Sequence, residues 1–170
     1  MNGPFSIATS VNESQILRPS RNLCYALSSL KTKGEVFNMP SEFQVVFSRL
    51  REILRKNKKG FEVTEDSATR YCLAGTPGSE TLKAWKGKTR RPEIPVAWVQ
   101  IGKAYVSYHL MGIYMNAALH KQISKPLKLR MQGKSCFNFK ANDEELFKEV
   151  DSLTSRSLDV FRLGNYVRSK

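Results

Sequence analysis

Between Val96 and Met111 the sequence alternates apolar and polar residues on both sides of Gly102-Lys103, and no other stretch limits the fold as strongly. Such alternation marks strands with one buried face, because successive side chains point to opposite sides. Glycine at the first of two central positions suits a type II′ hairpin turn. A two-residue turn would set Ile101 opposite Ala104, Gln100 opposite Tyr105, Val99 opposite Val106 and Trp98 opposite Ser107. One face then carries Ala97, Val99, Ile101, Ala104, Val106, Tyr108 and Leu110 and should be core. The other carries Trp98, Gln100, Tyr105, Ser107 and His109, a mixed aromatic and polar surface.

Helical patterns flank this hairpin. Ser41 is a good N-cap, followed by Phe43, Val46, Phe47, Leu50, Ile53 and Leu54 at helical spacing, which predicts a helix to about Asn57 closed by Lys58-Lys59-Gly60. Asn116 can cap a helix over about 117–123, and Ser124-Lys125-Pro126 can open another that Gly133 closes. Asn142 is the expected cap of a last helix with the stripe Leu146, Val150, Leu153 and Phe161. Thr69–Ala74 and Ser135–Lys140 read as strands, the second with Phe137 and Phe139 on one side and Cys136 and Asn138 on the other. The order of elements predicts an α+β fold: an antiparallel sheet with helices mainly on one face. Residues 75–95, with Gly75, Pro77, Gly78, Gly87, Pro92 and Pro95, read as one long loop.

Of the 170 residues 41% are hydrophobic, which is globular composition and sets aside a disordered chain. The length suits one domain, expected over 39–170, with 1–38 as a loosely ordered extension. That extension lacks the apolar core of a secretory signal, though a short helix can follow Pro19-Ser20. No apolar run approaches the length of a membrane span, so no membrane role is expected. Cys24, Cys72 and Cys136 are few, odd in number and widely spaced, which points to a reducing, cytoplasmic setting.

Two later segments carry a resemblance. Gly102-Lys103-Ala104-Tyr105-Val106-Ser107-Tyr108-His109-Leu110-Met111, followed by Tyr114-Met115-Asn116, is the first, and Lys128–Lys140 is the second. Together they resemble the YdhG-like family of mostly bacterial proteins, best over 96–140, with Gly133, Lys134, Cys136, Phe139 and Lys140 matching its second motif. The resemblance implies a compact α+β fold with an antiparallel sheet and no catalytic residues. Some relatives are described as frataxin-like iron chaperones. That role would call for an acidic surface, whereas this chain has a net charge of +13.

His109 is the leading candidate for a functional side chain, since a neutral imidazole on the mixed face can bind a ligand. Cys136 can join it only if the two strands are neighbours, and one Cys with one His is two ligands short of a zinc site. No cofactor or metal is expected. The carboxylates at 143–151 suit helix capping and a solvated face. The expected ligand surface comprises Trp98, Gln100, Tyr105, Ser107, His109, Cys136 and Asn138, with Lys134 as an anion contact. A small ligand or a protein is the expected partner, and no base or nucleophile set accompanies His109, so a non-enzyme is expected. Positive charge supplies the alternative, a nucleic-acid binder. Residues 49–59 hold six basic groups and one acid, 82–92 five and none, and 121–140 six and none. Lys86, Lys88, Arg90 and Arg91 are the expected anion contacts there.

Overall fold

The computed structural model describes residues 41–168, and the expected extension over 1–38 lies outside them. Helix α1 (Glu42–Asn57) starts where Ser41 Oγ accepts the Gln44 backbone N–H. It buries Val46, Phe47, Leu50, Ile53 and Leu54 of the expected stripe, with Phe43 half-buried at its start, and Gly60 follows with φ 83°. Strands β1 (Glu62–Asp66), β2 (Arg70–Gly75), β3 (Ile94–Ile101), β4 (Val106–Leu110), β5 (Met131–Gln132) and β6 (Cys136–Phe139) form one sheet in the order β1-β2-β3-β4-β6-β5. Every pairing is antiparallel. The helices α2 (Ser79–Ala84), α3 (Met111–Met115), α4 (Ala117–Lys121), α5 (Lys125–Lys128) and α6 (Glu144–Leu163) complete an α+β fold.

The core lies between the sheet and its helices. Tyr71 and Leu73 of β2, Ala97 and Val99 of β3, Val106, Tyr108 and Leu110 of β4, and Phe137 and Phe139 of β6 all point into it. Helix α6 supplies Leu146, Phe147, Val150, Leu153, Leu158 and Phe161 from the other side. Phe139 and Phe147 meet edge to face at 5.2 Å between ring centres. Tyr108 is fully buried, and its hydroxyl lies 2.7 Å from Thr154 Oγ1, which donates in turn to the Val150 carbonyl at 2.6 Å. Burial pushes the Tyr108 phenol far above its ordinary range, so it stays protonated. Gly112 brings α3 against α6: a Cβ there would stand 2.1 Å from the Ser157 carbonyl oxygen.

Within the strands the hairpin faces are as expected, but its register is not, and Ala104, expected in the core, is exposed in the turn. Ile101 pairs with Val106, Gln100 with Ser107, Val99 with Tyr108, Trp98 with His109 and Ala97 with Leu110. The turn therefore spans residues 102–105, with the Gly102 N–H donating to the Tyr105 carbonyl at 2.8 Å. The tight Gly102-Lys103 turn is replaced by a looser one that lets Trp98 stack on His109 and Val99 meet Tyr108, contacts the shorter turn would forgo. A slip of two residues preserves the alternation, so every strand residue keeps its face.

Other expectations also need correction. The long loop over 75–95 is interrupted by α2, which Gly78 and Thr81 tie to Tyr166 through hydrogen bonds of 2.9 and 2.7 Å to its carbonyl. What is left without regular structure before β3 is 85–93. Gly133, with φ 73°, turns β5 into β6 rather than closing α5, which ends at Lys128. The cap of α6 is Asp143, whose carboxylate accepts from the Leu146 N–H, while Asn142 bonds to Glu144. Strand β1 carries Val63 alone among apolar residues and is held by its pairing with β2 rather than by a pattern of its own. Among the described residues no helix is long and apolar enough to cross a membrane.

The two faces of β4 give a stability test. Val106→Ala removes buried methyl groups and should cost about 1–3 kcal/mol in chemical denaturation. Ser107→Ala, one residue on and facing the other way, removes a single oxygen from a buried position and should cost less, under about 1 kcal/mol. Equal losses at the two positions would contradict the face assignment.

Candidate functional site

Because Ala97, Val99, Val106 and Tyr108 point to the helices, their neighbours must point to the opposite side of the sheet. Among the described residues the helices packed on β3 and β4 are chiefly α1, α3 and α6, on the core side, while Cys72 and Ser107 on the opposite face are buried among their neighbours. The pairings then align two cross-strand rows on the opposite face. The first runs Cys72, Trp98, His109, Cys136 and Gln132, and the second Arg70, Gln100, Ser107 and Asn138. Six of the seven expected surface residues thus come together: Trp98, Gln100, Ser107, His109, Cys136 and Asn138.

Their contacts form a connected network. Trp98 and His109 stack with centroids 4.3 Å apart and planes 12° from parallel. The Arg70 guanidinium lies 5.9 Å from the Trp98 ring centre. It donates to Gln100 Oε1 at 2.8 Å and pairs with Glu65 at 2.9 Å. Cys136 Sγ lies 3.5 Å from His109 Nε2 and 3.5 Å from Asn138 Oδ1. Asn138 Nδ2 donates to Gln132 Oε1 at 2.9 Å, and the Tyr105 hydroxyl donates to the same oxygen at 3.2 Å. Tyr105 itself sits in the turn rather than opposite Gln100, so it reaches this surface through Gln132.

The electrostatics decide what the Cys136–His109 pair can do. Burial, reinforced by the Arg70 charge, pushes the His109 imidazole down to about 4. Burial pushes the Cys136 thiol above its ordinary value. At neutral pH the pair is a thiol beside a neutral imidazole. A cysteine nucleophile needs the reverse, a thiolate favoured by a nearby cation. Both groups are therefore suited to hydrogen bonding and packing.

Lys134 is placed elsewhere. It follows Gly133 in the β5–β6 turn and its Nζ lies 5.5 Å from the ring centre of Tyr114, a residue of α3. The basic runs are also not equivalent. Arg49 pairs with Glu144, Arg51 with Asp66 and Arg55 with Glu52. By contrast Lys86, Lys88, Arg90 and Arg91 are exposed in the 85–93 loop with no ion pair among the described residues. Sequence reasoning passed over Arg70, Cys72 and Gln132. They join the site only through the β2–β3 and β5–β6 pairings, which no local pattern announces. No family model, curated protein or solved structure matches this chain.

The depressed imidazole is measurable. The sign follows from linkage: His109 stays neutral in the fold while an unfolded histidine takes up a proton near 6.5. Folding stability should therefore be constant above that value and fall as pH drops from about 6.5 towards about 4. An NMR titration of the His109 ring should show a midpoint near 4, and Arg70→Ala should raise it. A midpoint at the ordinary histidine value would mean that the ring is solvated and the stack open.

Proposed function

We propose that this chain is a non-catalytic binding module of the YdhG-like type, acting in the cytoplasm, that takes a small planar polar ligand across the open face of its sheet. The observation that carries this reading is the pair of cross-strand rows joining Trp98 and His109 to Gln100, Asn138 and Gln132. The Trp98 ring is already engaged by His109 and Arg70, so a ligand would meet the part of it they leave free. The side-chain amides would orient it by hydrogen bonds, the usual division of labour in a binding site. The protonated Cys136 and neutral His109 favour binding over nucleophilic chemistry.

A nucleic-acid interface is the second reading, favoured by the unpaired cations Lys86, Lys88, Arg90 and Arg91. Neutralising those four should then flatten the salt dependence of oligonucleotide binding by up to about four phosphate contacts. The frataxin-like iron role has weaker support, because its carboxylates are already engaged. Glu144 is held by Arg49, Glu145 by Lys148 and Glu149 by Ser124, while Asp143 caps α6.

Protein-observed NMR with a panel of one- and two-ring heteroaromatic fragments tests the open face. Binding should shift the Trp98 indole N–H and the amide side chains of Gln100, Gln132 and Asn138. His109→Ala should weaken those shifts while the protein stays folded. Fragments that perturb only other surfaces, or none that bind, would count against the reading.

A further inference from the structure

A cavity lies apart from the open face. It holds about 280 Å³ and is lined by Ile113, Tyr114, Ala117, His120, Lys121 and Lys134. Its origin is local. Asn116 ends α3 and caps α4 by accepting the Ala118 and Leu119 N–H groups, so Tyr114 and Lys121 come from two short helices that meet at a bend. Gly133 then turns β5 into β6 and sets Lys134 over the Tyr114 ring. Ile113 is buried and supplies an apolar floor with Ala117. The Tyr114 side is 60% exposed, unusually open for so large a ring.

The chemistry of the lining is one-sided. It has an aromatic ring, two ammonium groups and an imidazole, and no carboxylate. The sequence from Met111 to Asn142 contains no acid at all, and the α6 carboxylate that reaches this region, Glu149, is taken up by Ser124. The sheet pairing places a further source of charge at the same end. Leu110 ends β4 opposite Ala97, and β3 begins at Ile94 beside Gly75, so α3 and the 85–93 loop leave the same end of the sheet. That loop carries Lys86, Lys88, Arg90 and Arg91, all exposed.

We propose that this cleft binds the phosphate and base of a nucleotide, with the base against Tyr114 and the phosphate on Lys134, Lys121 and His120. Aromatic stacking accepts any base, and ammonium groups take phosphate as point charges. The volume, at the small end for ligand pockets, suits one nucleotide rather than a larger cofactor. The group could belong to a free mononucleotide or to one unit of a single strand whose backbone continues past the 85–93 loop. The proposal does not rest on the open-face reading.

The full-length protein should be titrated with AMP, adenosine, inorganic phosphate and an oligothymidylate, following backbone amide shifts. AMP should move residues 113–121 and 133–135 and bind more tightly than adenosine or phosphate alone. Lys134→Ala and Tyr114→Ala should each weaken AMP by about tenfold, while Tyr114→Phe, which keeps the ring, and His109→Ala should leave it within about twofold. A single-strand source predicts tighter, salt-sensitive oligothymidylate binding that falls when the four loop cations are neutralised. A free-nucleotide source predicts no gain over AMP. The proposal is overturned if AMP and oligothymidylate both leave those residues unmoved, if adenosine matches AMP, or if Tyr114→Ala has no effect.

Discussion

Tyr108 stands at the centre of β4 with its ring under α6 and its hydroxyl 2.7 Å from Thr154, and this contact fixes what the rest of the sheet can do. A phenol buried without a partner would cost about 1–3 kcal/mol, so the strand and the helix are held to one relative setting. Because strand side chains alternate, anchoring Tyr108 inward turns Ser107 and His109 outward. The neighbours follow through pairing: Val99 faces in and Trp98 out on one side, Phe137 in and Cys136 out on the other. The aromatic and polar face is therefore the reverse side of the core.

That relation explains which parts of the molecule could be read from sequence. The stripes of α1 and α6, the caps at Ser41, Asn116 and Ser124, and the inward set of β3, β4 and β6 are local signals with a period. The turn differs from its sequence signal because Gly102-Lys103 satisfies the chemistry of a two-residue hairpin. What selects the four-residue turn is non-local, the match of Trp98 to His109 and of Val106 to Phe139 across strands. β1 was missed for the same reason: Glu62-Val63-Thr64-Glu65-Asp66 has no alternation, and its strand state comes from lying beside β2. The site was legible in larger part. Parity delivered Trp98, Gln100, Ser107, His109, Cys136 and Asn138, whereas Arg70 and Gln132 enter by sheet order.

The open face and the Tyr114 cleft use aromatic rings differently. Trp98 already stacks on His109 and has the Arg70 guanidinium beside it, so its surroundings are ordered before anything binds. Little entropy would be lost on binding there, but little ring area is left to gain. Tyr114 has one cation near it and most of its surface free. The neutral state of His109 also means that the open face keeps its character over the physiological range, with Arg70 as its fixed charge balanced by Glu65.

The two margins of the sheet deserve the same physical reading as its faces. β5 is only two residues long, and β1 is bulged between Val63 and Glu65 and acidic along its length. An edge that is short, kinked or charged is a poor template for another chain's backbone. With a net charge of +13, molecules also repel one another at a distance. A sheet with a side that no described helix covers would ordinarily risk stacking into larger aggregates. Here the borders discourage strand addition and the charge delays encounter, so concentrated samples should stay dispersed at low ionic strength and lose part of that protection as salt rises.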